Sequence, residues 1–297
     1  MARWQPLRHT QHMIALHLAG YQPARSVHTR ALHALRESVA RRAGDALRID
    51  VTDSIVAQGR KASDLLTMVD SGELDGCYFA SSYLAGRVPG LGLFDQPFQA
   101  GSREDVFGAL DSDTGVALAN ELAAATGYRV LGWWDNGIRH VSNAVRPIRT
   151  PADCAGLRLR TLDNAQHQIA FRRLGFAPTF IDVADLPRAV ADGTVDAQEN
   201  PLTNVVNFNL HLHHKHLSLT GHLLGIAPLL VNRARFEALP SALRSVLIAA
   251  ARDSEAAQRA LAEAEDAECL ETLVKAGVAV VSADAIDLPA FRAAVAV

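Results

Sequence analysis

The chain is poor in cysteine: Cys77, Cys154 and Cys269 stand far apart in 297 residues. No C-x-x-C or metal-type spacing joins them, and an odd count does not suit a disulfide framework, so they are read as isolated thiols. No apolar run approaches the roughly 20 residues of a membrane-spanning helix; the longest candidates are broken by Arg, Asp or His. Charge of one sign is missing too. The net charge is −3, which leaves no electrostatic footprint for nucleic acid. Residues Met1 to Gln11 are polar and basic and lack the apolar stretch of a secretory signal. Two alternatives follow: an export signal that these residues do not carry, or a cytoplasmic chain.

Catalytic signatures are also lacking. There is no G-x-S-x-G elbow, no G-x-x-x-x-G-K-[ST] phosphate loop and no H-E-x-x-H. Gly90-Leu-Gly92 lacks the third glycine of a dinucleotide loop and reads as a turn. The tract His211-Leu-His213-His214-Lys-His216 could attract a transition metal. Lys215 among the ligands and the want of a nearby carboxylate favour a polar connection instead. No catalytic residue, metal ligand or cofactor is expected.

What is present is a core. Apolar residues make up 49% and charged residues 21%, ordinary for a globular protein, and the length suits one large or two medium domains. Strand-like runs at Met13–Ala19, Leu47–Val51, Leu74–Ala80, Arg129–Trp134, Leu157–Arg160, Thr179–Ile181, Val195–Ala197, Ile226–Val231 and Val278–Val281 alternate with helical patterns. The helices are expected at about Pro23–Ala43, Lys61–Ser71, Arg103–Leu110, Gly115–Thr126, Asp163–Leu174, with Asp163 as cap, and Ala184–Ala191. Ser81–Gln99 reads as a loop. Such alternation implies parallel sheet covered by helices. Ser241–Ala276 keeps a helical rhythm long enough for a helix of roughly 50 Å, which exceeds one small domain and should tie two together. The architecture is α/β: two lobes, each a mixed sheet flanked by helices, with a cleft between them faced by strand carboxyl ends.

One ordered series of segments carries function. It runs Gly137-Ile-Arg139, Pro147-Ile148, Thr150-Pro151-Ala-Asp153, Gly156-Leu-Arg158-Leu-Arg160, Asp192-Gly193 through Asp196-Ala-Gln198-Glu199-Asn200-Pro201, and Leu239-Pro240 before the long helix. In order and spacing it resembles the solute-binding component of TRAP transporters, the dicarboxylate-binding-protein family, from the Met13 strand to about Phe291.

That resemblance implies a two-lobed periplasmic-binding-protein-like fold that captures a small organic carboxylate and delivers it to membrane permease subunits. Lobe I is expected at 12–136 plus 225–255 and lobe II at 137–224 plus 256–297. The resemblance makes Arg160 the bidentate carboxylate ligand, a role that guanidinium geometry suits. Arg139 is implied as a second, reinforcing arginine, and Asn200 as a residue that bonds ligand or steadies Arg160. Strand ends add Tyr21, Ser81, Ser82, Tyr83, Trp133 and Trp134, and Asn204 should share a helical face with Asn200. Apolar Ala80 argues against a sialic-acid-like ligand, and Val183 and Pro187 depart from the family's usual residues. A monomer without nucleic-acid partners and a periplasmic location complete the expectation. The alternatives are a sensor domain for a signalling partner and an α/β enzyme with an unrecognised site.

Overall fold

A computed structural model describes residues 13–99 and 101–296; the reading of Met1 to Gln11 falls outside them. The first half runs β1 (Ile14–Ala19), α1 (Val27–Ala43), β2 (Leu47–Thr52), α2 (Asp64–Ser71), β3 (Gly76–Tyr78), α3 (Arg103–Leu110), α4 (Asp113–Thr126) and β4 (Tyr128–Asn143). The second runs β5 (Arg158–Thr161), α5 (Ala165–Arg173), β6 (Ala177–Phe180), α6 (Leu186–Ala191), β7 (Ala197–Pro201), α7 (Leu202–Asn207), β8 (His216–Asn232), α8 (Arg233–Glu237), α9 (Ser241–Lys275), β9 (Ala279–Val281) and α10 (Leu288–Val295).

The strands form one mixed sheet in the order β2-β1-β3-β8-β4-β7-β5-β6, with β9 beside β8. β1–β2 and β5–β6 are parallel, as expected where helices connect strands. The axis of the sheet is the antiparallel pair β4–β8. Both strands are far longer than their apolar runs suggested. Asp135, Arg139 and Ser142 are polar yet buried in β4, where Arg103, Glu199 and the pair His214 and Gln198 supply partners that sequence pattern cannot show.

Helix ends follow local chemistry. α1 starts at Val27 rather than Pro23, because the Ser26 side chain accepts from Thr29 N and caps it. Its face of Val27, Ala31, Leu32, Leu35 and Val39 is buried. The cap of α5 is Asn164, not Asp163: its side chain accepts from the backbone N–H groups of Gln166 and His167. The Ser81–Gln99 stretch contains two short 3-10 turns. The long helix α9 has 35 residues. Ser254 of α9 donates to the Ala31 carbonyl, while Gln258 pairs with both backbone groups of Asp135 in β4. The large core gathers Leu16, Leu35, Trp134, Leu230, Leu247 and Leu273 among others. A smaller one, around Ile148, Leu159, Phe171 and Phe291, lies under β5 and α5.

Candidate functional site

Strand ends from both halves of the sheet converge on a small cavity. Tyr21 comes from the end of β1, and Phe79, Ala80 and Tyr83 follow β3. Asn136 and Arg139 come from β4, Arg160 from β5, Asn200 from β7 and Asn204 from α7, while Leu162 and Val183 add apolar wall.

The two arginines are both 1% exposed, but their surroundings differ. Arg139 forms a fork with Glu199: Nε donates to Oε2 at 2.5 Å and Nη2 to Oε1 at 2.9 Å, with a further bond from Nη2 to the Glu199 carbonyl at 2.8 Å. Glu199 also accepts from Thr161 Oγ1 at 3.0 Å and lies 3.2 Å from His222 Nε2. Burial pushes the Glu199 carboxyl up, but Arg139 and His222 outweigh it and hold it well below the usual carboxylate range. Burial also pulls the His222 imidazole down, against the pull of Glu199. A neutral ring satisfies both of its contacts, donating to Glu199 and accepting from Thr220 Oγ1 at 2.8 Å.

Arg160 has no such partner. Its Nε donates to the Ile181 carbonyl at 2.8 Å. Nη1 is buried with no hydrogen bond among the described residues. The neighbouring carboxylate, Asp182, turns to backbone instead: it accepts from Ala62 N at 3.1 Å, Ser63 N at 3.1 Å and Ala184 N at 2.9 Å. Burial pushes the Asp182 carboxyl up, but these amides bring it below its ordinary value. A buried cation without a counter-ion is costly, and the cavity beside it is where an anion can sit.

The neutral polar groups form a chain. Gln22 Nε2 donates to Asn204 Oδ1 at 3.1 Å, Asn204 Nδ2 to Asn200 Oδ1 at 3.0 Å, and Asn200 Nδ2 to Gln198 Oε1 at 2.5 Å. Asn200 sits on a strand, so it and Asn204 meet across the β7–α7 junction rather than along one helical face as the spacing suggested. Burial raises the phenols, Tyr21 above its ordinary value and Tyr83 up to about 12, which keeps both neutral.

Tyr21, Arg139, Arg160, Asn200 and Asn204 are thus brought together, whereas Ser81, Ser82 and Trp134 do not line the cavity. Ser82 Oγ donates to Asp95 Oδ1 at 2.5 Å and Ser81 is buried in the same turn. Trp134 is fully buried between Tyr78 and His28, at ring distances of 5.6 and 6.3 Å. Its ring packs into the large apolar core and not into the cavity. Phe79, Leu162 and Asn136 had not been singled out. Asn136 occupies a bulge: Asp135 pairs with Ile226 and Gly137 with Gly225, which leaves Asn136 unpaired in the ladder. A bulge re-aims a side chain, and Oδ1 of Asn136 is buried without a partner among the described residues. The only sequence signal was Asn136-Gly137, where Gly137 takes φ 87°.

Residues 18–297 match the family model described as bacterial extracellular solute-binding protein, family 7. A solute-binding protein of Verminephrobacter eiseniae is 30% identical over 266 residues, which cover 90% of this chain and 78% of that protein. Among solved structures, a TRAP periplasmic solute-binding protein from Polaromonas sp. bound to D-erythronate is 29% identical with a TM-score of 0.89, covering 95% of this chain and 91% of the other. One from Bordetella bronchispeptica, whose bound density was assigned to pantoate, is 30% identical with a TM-score of 0.88 and the same coverage.

Proposed function

The chain belongs to family 7 of the bacterial extracellular solute-binding proteins, and from that membership we propose that Arg160 is the anchor on which this member grips the carboxylate of a small organic acid. The observation that carries the reading is the buried Arg160 guanidinium, free at Nη1 and in no ion pair among the described residues. A carboxylate there gains charge-assisted bonds in a setting of low dielectric. Tyr21, Asn136, Arg139, Asn200 and Asn204 complete the ligand's surroundings.

The lobe division at 136/137 and 224/225 has a local correlate. Gly137 pairs with Gly225 in the β4–β8 ladder, beside the Asn136 bulge, so both crossing strands have a glycine where a hinge would bend. Asp182 reaches from the lobe II side to the amides of Ala62 and Ser63 on the lobe I side, as a closed clamp requires. The filled clamp is then presented to TRAP permease subunits at the periplasmic face of the membrane, as a single chain.

The test is a thermal-shift screen against organic acids, followed by calorimetry on the best one. A ligand that binds only the folded state raises the melting temperature. Arg160→Ala is expected to weaken that acid at least about 100-fold, the scale of a lost bidentate charge pair, with an unchanged circular-dichroism spectrum. Binding as tight as wild type would remove Arg160 from the site.

A further inference from the structure

Resting on the assignment of Arg160 as anchor, we propose that Glu199 makes this cavity selective for singly charged hydroxy acids by cancelling Arg139, and that the bulge residue Asn136 reads a ligand hydroxyl.

The argument begins with charge. Two arginines line the cavity, which at first sight invites a dianion. Glu199, fully buried directly behind Arg139, occupies both Nε and Nη2 of that fork. The pair is neutral as a unit. Asp182 is a further negative charge nearby, held by backbone amides and not paired with Arg160, and it disfavours a second carboxylate. Arg160 remains the one arginine of the cavity without an ion-pair partner among the described residues, and it matches one carboxylate. A second carboxylate would be buried without a cation, which is strongly unfavourable. Polar neutral groups fit the rest of the ligand. Oδ1 of Asn136 is an acceptor without a donor among the described residues, and a buried polar group left unpaired discriminates against any ligand that cannot pair it. A hydroxyl supplies that donor. Tyr21 and Tyr83 stand around the same space as neutral phenols.

Matched acids that differ only in whether the far end is a primary alcohol or a carboxylate test this directly: D-erythronate against meso-tartrate, and D-gluconate against D-glucarate. Calorimetry at neutral pH should show the aldonate of whichever pair binds at least about tenfold tighter than its aldarate. Glu199→Gln, which keeps the shape and releases the charge of Arg139, should improve the aldarate at least about tenfold relative to the aldonate. Asn136→Leu should reduce the preference for erythronate over the hydroxyl-free butyrate by a similar factor. If wild type holds the aldarate as tightly as the aldonate, and Arg160→Ala loses both, charge selection is refuted while the anchor survives. If none of these acids binds, the anchor and the selection fall together for them. Should Glu199→Gln not fold, the wild-type ratio still decides the charge count. A folded variant with an unchanged ratio removes Glu199 from the explanation.

Discussion

Arg139 and Arg160 show how much a side chain's role depends on what it meets. Both are buried arginines on adjoining parts of one sheet, yet one is fully paired and the other is open. They should respond oppositely to removal in ligand-free protein. Arg139→Met strands Glu199 as a buried charge and should cost about 3–5 kcal/mol in urea unfolding, whereas Arg160→Met relieves an unpaired cation and should leave stability equal or higher. Equal losses in the two variants would contradict the pairing. His28 offers a second residue-scale test. It is fully buried, stacks on Tyr78 at 5.0 Å, and neither ring nitrogen has a hydrogen-bonded side-chain partner among the described residues. Burial pulls it from 6.5 down to about 3. Between these values the unfolded chain takes up a proton that the folded chain refuses. Wild type therefore loses stability as pH falls through that window, by up to about 1.4 kcal/mol per pH unit from this group. His28→Leu should remove that component. Denaturant midpoints of variant and wild type should diverge in the variant's favour from pH 6.5 toward pH 4, and parallel curves would refute it.

At the scale of elements, β4 and β8 matter most and were least legible. The apolar cores of the two strands, Arg129–Trp134 and Ile226–Val231, could be read from pattern, but the polar continuation of β4 to Asn143 could not. A run such as Asp135-Asn-Gly-Ile-Arg-His carries turn-forming residues and no period-two alternation. It remains strand because it is sandwiched between β7 and β8 and because α9 satisfies its backbone. Gln258 Oε1 accepts from Asp135 N at 2.8 Å and Nε2 donates to Asp135 O at 2.7 Å, on the part of β4 that precedes its pairing with β7 at Arg139. Gln258→Leu leaves both backbone groups buried and unpaired, and should destabilise by roughly 2–6 kcal/mol at one to three per group; a loss below about 1 kcal/mol would mean that relaxation or water replaces the amide. The helices were easier to place, since their apolar faces and caps are local. The differences at α1 and α5 were of a few residues or one: Ser26 caps α1 after the expected start at Pro23, and Asn164 takes the place of Asp163 as the cap of α5.

For the whole molecule, the proposed clamp makes Asp182 a closing contact that never reaches the ligand. Its three backbone bonds include two that cross to residues 62 and 63, and the exposed Lys61–Asp185 pair at 3.2 Å lies beside them but is worth little in solvent. Asp182→Ala should speed dissociation of the bound acid about tenfold with little change in association, as most affinity changes fall on the off-rate. Stopped-flow release measures this, and an unchanged off-rate would show that the contact does not hold the closed form.

The linear chain by itself determined the family, the α/β alternation, the long helix after Pro240 and the arginine at the tip of β5, because each depends on local periodicity, capping or the fixed order of short segments. Tertiary structure alone decided which arginine is free and where Asn136 points. Glu199 is 60 residues from Arg139, and the β4 bulge exists only against β8. Charge compensation and strand register are properties of neighbours in space, and these neighbours lie far apart along the chain.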